Sequence, residues 1–442
     1  MNTLMLLMIV VVMLSGYAVE SQFVPRELKL LPELFSALVL LLVVVHGIRN
    51  RFQFVRPGYW FAFGAIAATM LCGALANSLE SGPVIAGMRN YLRAMPMFFL
   101  PAVFAFSERQ IRSQLLLLLV LCLLQIPIAI SQRIASSWYS NPSGDDVRGT
   151  LLVSGTLSIY LICAACVLTG YFIRRRASAW LFVPLLVLVL LPTAINETKA
   201  TAVLLPIGLL VTFYVGSERR TKLKNMALAT MLLALFGAMF VPLYDHFIVK
   251  REYGVPIGEF FTDEERLSRY MSRGVGVGAE KVGRTDAIVT SLREVSRDPT
   301  QFGFGLGIGN ASNSALGEAF SGKYARRFAP FIQSSAVLLI LEVGMLGFGL
   351  ALLINWLVFR DSRAVAQSDQ GFIGTLAIGW AGTSVVIVVS NLYVNLVTNE
   401  AISYLFWYFS GVVAAHRVRL FQQGARASAS AFVSPSAKPA RV

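Results

Sequence analysis

Arg89 and Arg93 stand four residues apart, on one face of any helix that holds both. Arg148 follows an Asp145-Asp146 pair, and Lys199 ends an Asn196-Glu197-Thr198-Lys199 turn between two apolar runs. Guanidinium and ammonium groups at such places attract anions, and arginine grips phosphate oxygens two at a time. Each one alone reads equally well as a topological anchor whose aliphatic stem lies along lipid. Together they read as a site for an anionic headgroup such as a lipid diphosphate. Other chemistries lack their residues. The three histidines, His46, His246 and His416, are scattered, and no HExxH or GxSxG motif occurs. Cys72, Cys122, Cys163 and Cys166 all lie in apolar runs. Zinc hydrolysis, serine acyl transfer and a disulfide or metal framework therefore find no support, and no cofactor or metal is expected.

The elements that must position these residues follow from composition. Of 442 residues, 56% are hydrophobic and 14% charged, and mean hydropathy is +0.66. A soluble domain carries about a quarter of charged residues, so an ordinary soluble enzyme is excluded. A membrane-crossing helix needs about 20 mostly apolar residues. That ruler gives about twelve spans, near 3–19, 30–48, 58–77, 91–106, 114–132, 150–173, 180–196, 200–216, 225–244, 334–358, 371–396 and 400–415. The expected fold is all-α: a polytopic membrane protein. The fourth span is interrupted by Pro96 and Pro101. The first run lacks the basic flank and small-residue cleavage site of a signal peptide and reads as a span.

The net charge of +14 would point to nucleic acid in a soluble protein. Here the positive residues sort by loop. Arg49, Arg51 and Arg56, then Arg109 and Arg112, Arg174 to Arg176, Arg219 to Lys224, Arg360 and Arg363, and the residues from Arg417 onward fall on one side. The alternate short loops hold far fewer. That asymmetry places both termini in the cytoplasm and makes the surplus topogenic, with no nucleic-acid partner. Residues 1–244 then carry spans one to nine, 245–333 form one large external segment, 334–415 carry the last three spans, and 416–442 read as a disordered basic tail.

Connections in compact proteins are short, so a segment as long as 245–333 usually carries function. Thr262 and Glu265 have capping-box spacing and predict a short helix through about Ser272. Ile288, Val289, Leu292 and Val295 recur at helical spacing from Arg284 to the Asp298-Pro299 stop. Gly303, Gly305, Gly307 and Gly309 follow; they read either as a turn packed tightly on a helix or as backbone amides cradling a diphosphate.

With these features in order, roughly residues 140 to 360 resemble the O-antigen ligase and polysaccharide polymerase (Wzy-type) superfamily of bacterial envelope glycosyltransferases. Members carry a basic residue just before a span, where Thr198-Lys199 stands here, and an arginine opening a helix of the long loop, where Gly283-Arg284-Thr285-Asp286 stands. A glycine-rich stretch follows, matched by Phe302 to Gly307. The ligases also have a His-[Asn/Ser/Gln]-x9-Gly-x-x-[Gly/Thr/Tyr] motif; here Gln333-Ser334 precedes Gly344-Met345-Leu346-Gly347 at that spacing, with glutamine in place of histidine. In the ligases that histidine is the proposed base. A glutamine can orient a hydroxyl but cannot take its proton, which favours the polymerase branch.

The resemblance implies a GT-C-like inner-membrane enzyme with its active site facing the periplasm. It would join repeat units carried on undecaprenyl diphosphate without nucleotide sugar, cofactor or metal, and could partner a chain-length regulator and a flippase. Arg284 and Lys199 are expected to stabilise the diphosphate leaving group. Arg148, Arg89 and Arg93 stand as secondary contacts, and Gln333 as the residue in the motif position of the base. Glu197, His246 and Asp286 are the external ionisable groups from which a base could come, Glu197 first. A ligase moving glycan to an acceptor lipid or protein is the first alternative, and a twelve-helix transporter or flippase the second.

Overall fold

The computed structural model describes residues 1–50, 52–136, 138, 144–196, 198–218, 220–248, 256–265, 267–268 and 282–433. Among the described residues the chain is all-helical. The helices are α1 (Asn2–Glu20), α2 (Leu31–Asn50), α3 (Pro57–Ala76), α4 (Ser81–Leu92), α5 (Met95–Val103), α6 (Glu108–Ser136), α7 (Ser154–Ile173), α8 (Ala179–Ile195) and α9 (Thr201–Gly216). They continue with α10 (Lys222–Ile248), α11 (Ile257–Thr262), α12 (Arg284–Val295), α13 (Pro299–Phe304), α14 (Ala325–Phe328), α15 (Ser335–Ser368), α16 (Phe372–Ser390) and α17 (Glu400–Val433). Eight stretches, in α1, α2, α3, α6, α7, α10, α15 and α16, are long and apolar enough to cross a membrane. The protein is therefore a polytopic α-helical membrane protein. α8 and α9 are equally apolar but shorter, at 17 and 16 residues.

Three departures from the expected spans have local causes. The run at 91–106 divides because Pro96 has no N–H to give Leu92 O and its ring would clash there; α4 ends at Leu92 and α5 restarts at Met95 with Pro96 in its first turn. The run at 371–396 stops at Ser390, and residues 391–399 leave the helix. The tail expected to be disordered from 416 instead continues α17 to Val433, while 434–442 lie outside the described residues. Arg417 pairs with the buried Asp361, which also binds Arg56, and Arg419 donates to Pro101 O at 2.9 Å and stacks over Phe54. Those contacts fix the helix beyond its apolar stretch. Thr262 itself ends α11, its hydroxyl donating to Gly258 O at 3.1 Å, and the short helix expected after it begins two residues later, with 264–265 and 267–268 helical and Leu267 N donating to Asp263 O at 2.9 Å.

α16 is the buried centre of the bundle, packed among α7, α9 and α15. Small residues allow that approach, because membrane helices gain stability from close packing rather than from leaving water. A Cβ on Gly379 would sit 2.5 Å from Val167 Cα and 2.6 Å from Cys166 O, and one on Gly382 would sit 2.6 Å from Gly208 O. Backbone cannot move aside as a flexible side chain can. Gly379→Ala is expected to lower stability by about 1–3 kcal/mol, read as a lower thermal midpoint of the detergent-solubilised protein. An unchanged midpoint would show that α7 and α16 have room to separate.

Candidate functional site

At the end of the bundle that carries residues 245–333, one short segment gathers most of the polar chemistry. Residues 391–399 (NLYVNLVTN) lie against the start of α15. A helix N-terminus leaves its first amides without partners in the helix. Here Ser335 N donates to Val394 O at 3.2 Å and Ala336 N to Asn391 O at 2.9 Å. The buried Ser335 hydroxyl accepts from Leu396 N at 2.7 Å and Val397 N at 3.3 Å. The chain can thus leave the helix near the membrane edge with its backbone groups satisfied.

Arg284 and the start of α7 meet this segment, and the Lys199 turn and Gln333 are tied to those two. Arg284, the first residue of α12, donates through Nε to Tyr393 O at 3.1 Å, and its guanidinium lies 4.1 Å over the Tyr393 ring. The start of α7 touches the other side: a Cβ on Gly155 would meet Val394 Cγ2 at 3.0 Å, and Asn399 Nδ2 donates to Thr156 Oγ1 at 3.2 Å. The turn bearing Lys199 is pinned to the same end of α7, since the buried Asn196 donates to Ser154 O at 3.0 Å and Ser158 Oγ at 2.9 Å. Asn196 Oδ1 in turn accepts from Thr198 N at 3.2 Å, which sets the half-buried Lys199 at the rim. Gln333, just before α15, donates through Nε2 to Val282 O and to Pro330 O, the latter at 3.4 Å; Val282 N donates to Pro330 O at 3.2 Å. Gln333 therefore holds the strand of chain that leads into Arg284. Asp286 sits in the first turn of α12, where a carboxylate complements the helix dipole.

The remaining basic residues also reach this end, with carboxylate partners of their own. Arg148 pairs with Glu20 at 3.0 Å and lies 3.9 Å from Asp146. Arg89 forms a two-pronged pair with Glu33, and Arg93 bonds Glu400 at 2.7 Å and Thr398 O besides approaching Glu33. The Arg93 side chain is only 9% exposed and ties α2, the α4–α5 break and α17 together. Removing one member of a buried pair strands the other charge. Arg93→Ala is expected to destabilise the protein by about 3 kcal/mol, seen as earlier thermal aggregation in detergent. Recovery in Arg93→Ala combined with Glu33→Gln and Glu400→Gln would confirm that the stranded carboxylates are the cause. Of the other sequence candidates, Glu197 lies outside the described residues; His246 falls in α10, with its side chain outside them.

The glycine run has its own anion. Gly305, Gly307 and Gly309 have φ of +73°, +94° and +74°, which only glycine adopts without strain. The run enters a break in α15 at Gly344, φ +67°, where Leu306 N donates to Leu341 O at 2.7 Å. A Cβ on Gly305 would lie 2.7 Å from Gly344 N, and one on Gly87 would lie 2.5 Å from Gly309 N. In the hollow sits the carboxylate of Glu342, 1% exposed. Ala311 N donates to its Oε1 at 3.3 Å, while its Oε2 is buried with no hydrogen-bond partner among the described residues. Of the two sequence readings, this geometry favours tight packing: Gly305 N donates to Gln301 O, Leu306 N to Leu341 O and Asn310 N to Gly307 O, and Ala311 N is taken by Glu342. A lone glutamate inside the apolar run 334–358 was the sequence signal for this residue, since an ionisable group at membrane depth needs a specific partner.

No protein-family model and no curated protein matches the chain.

Proposed function

We propose that the chain is an envelope polysaccharide polymerase of the Wzy type, an inner-membrane glycosyltransferase that extends a glycan carried on undecaprenyl diphosphate. The end of the bundle bearing residues 245–333 would face the periplasm, with about twelve crossings once α8, α9, α4–α5 and α17 are counted with the eight long apolar stretches. The observation that carries this proposal is the meeting of Arg284 and the α7 start at residues 391–399, with Gln333 tied to the chain before Arg284 and the Lys199 turn and Arg148 tied to the α7 start. These parts are far apart in sequence, and three of them bring a cation to one membrane-edge rim.

In the reaction, a sugar hydroxyl of one lipid-linked unit attacks the anomeric carbon of the growing chain. The new C–O bond forms as the bond to the diphosphate breaks; the electron pair leaves on undecaprenyl diphosphate, and the hydroxyl proton passes to a base or to solvent. Arg284 and Lys199 would neutralise the charge that develops on the leaving diphosphate, as fixed donors do without reorganising. Gln333 can orient the chain before Arg284, and Asp286 and Glu197 remain the ionisable groups nearest to those cations in sequence. Purified protein in proteoliposomes, given a defined undecaprenyl-diphosphate oligosaccharide, should produce a ladder of extended products. Transfer of a single preformed glycan to an added acceptor lipid would identify a ligase instead, and movement of the substrate across the bilayer without extension would identify a transporter.

A further inference from the structure

An apolar groove of ≈ 620 Å³ opens between α6, α7, α8, α16 and α17. Its floor is aromatic and aliphatic, with Trp380, Phe406 and Phe409 at the back, while its rim leucines Leu116 and Leu181 are exposed. Along α7 it runs from Tyr160 to Tyr171. At 1.5 Å per residue that wall is about 16 Å long, close to half of the ~30 Å hydrocarbon layer. Along α16 it runs further, from Phe372 to Ile387, about 22 Å, so the groove is at least one leaflet deep.

Its mouth is basic. Arg112 and Arg176 both line it, together with Tyr171, and both are exposed. Arg112 lies 5.1 Å over the Phe372 ring, and Arg176 donates to Gln370 O at 2.9 Å. Neither forms an ion pair among the described residues. A hydrocarbon slot at least one leaflet deep whose mouth carries two arginines with no ion pair among the described residues is complementary to a single amphiphile: an acyl chain below, a phosphate above.

We propose that this groove is a specific site for an anionic phospholipid of the arginine-rich leaflet, its acyl chain between α6 and α7 and its phosphate held by Arg112 and Arg176. The inner end of the groove, at Ile387 and Ile402, adjoins residues 391–399, but the arginine-bearing mouth is at its other end and the proposal does not depend on the glycosyltransferase reading. Arg112 and Arg176 are exposed and bind no buried carboxylate, so their replacement leaves the bundle packing intact.

The test is native mass spectrometry and lipid extraction of the full chain purified in mild detergent, then reloaded with phosphatidylglycerol or phosphatidylethanolamine. Wild type should retain one phosphatidylglycerol per chain in preference to phosphatidylethanolamine. Arg112→Gln with Arg176→Gln should lower phosphatidylglycerol retention about tenfold or more, the scale of a lost charge-assisted pair. Ala164→Phe, which fills the groove from α7 without touching the arginines, should lower retention of both lipids. The proposal fails if the double variant binds as wild type does, if phosphatidylethanolamine is retained equally, or if the retained molecule is a polyprenyl phosphate or detergent alone.

Discussion

Arg284→Ala is expected to slow glycan extension by the reconstituted protein on the order of 10²- to 10³-fold, with little change in the amount of folded protein. The size follows from what a preorganised donor does for a leaving group: it stabilises charge present only in the transition state, so its loss appears in kcat more than in KM. The structure accounts for the preorganisation. The guanidinium lies 4.1 Å over the Tyr393 ring while Nε donates to the Tyr393 carbonyl, so both its plane and its direction are fixed. Arg284→Lys keeps the charge but cannot reproduce a planar, stacked donor, and should recover only a small part of the rate. Tyr393 separates this role from a merely structural one. Because the hydrogen bond uses its main-chain oxygen, Tyr393→Phe should behave as wild type, and Tyr393→Ala, which removes the ring, should lose an intermediate amount. Lys199→Ala should act in the same direction. Were Arg284→Ala to extend glycan at the wild-type rate, the leaving group would have to be stabilised elsewhere and the proposed site would be wrong.

How much of this could be read from sequence depended on whether local signals carried it. The apolar runs that became α1, α3 and α7 have a single length scale, the bilayer, and their ends fall within a few residues of the helices found. The α4–α5 break was marked by Pro96, and α12 by its hydrophobic spacing and the following Asp298-Pro299. Residues 391–399 were different. Leu392, Val394, Leu396 and Val397 are as apolar as any spanning helix, and a hydropathy window absorbed them into 371–396. What makes them non-helical is tertiary: the α15 N-terminus offers amides and a serine hydroxyl that their carbonyls and amides can take. Three asparagines in the stretch, Asn391, Asn395 and Asn399, were the local hint, since Asn side chains bond nearby backbone and favour turns. Arg89 and Arg93 show the converse limit. Their spacing placed them on one face correctly, but their carboxylate partners Glu33 and Glu400 lie 56 and 307 residues away, at a separation that spacing along a helix cannot reach.

Glu342→Ala is expected to destabilise the protein by about 3 kcal/mol or more, a larger loss than most single changes produce. The carboxylate is 1% exposed; its Oε1 accepts from Ala311 N at 3.3 Å, and its Oε2 has no hydrogen-bond partner among the described residues. Alanine would leave the buried Ala311 amide without its acceptor, at about 1–3 kcal/mol, and open a cavity beside it that adds to the loss. Glu342→Gln fills the volume and keeps one acceptor oxygen for Ala311 N, so its loss should be smaller. The effect should also have a location. The glycine run threads the break at Gly344, and the carboxylate holds the chain just after it, so proteolysis in the alanine variant should quicken within residues 305–325 before the rest of the bundle opens. Timed digestion of the detergent-solubilised protein with fragment masses gives both rate and place. A catalytic carboxylate would give another pattern: Glu342→Gln would abolish extension while leaving the thermal midpoint and the digestion pattern as in wild type. That outcome would overturn the anchoring role, because a residue that only holds the glycine run cannot lose its chemistry without loosening the run.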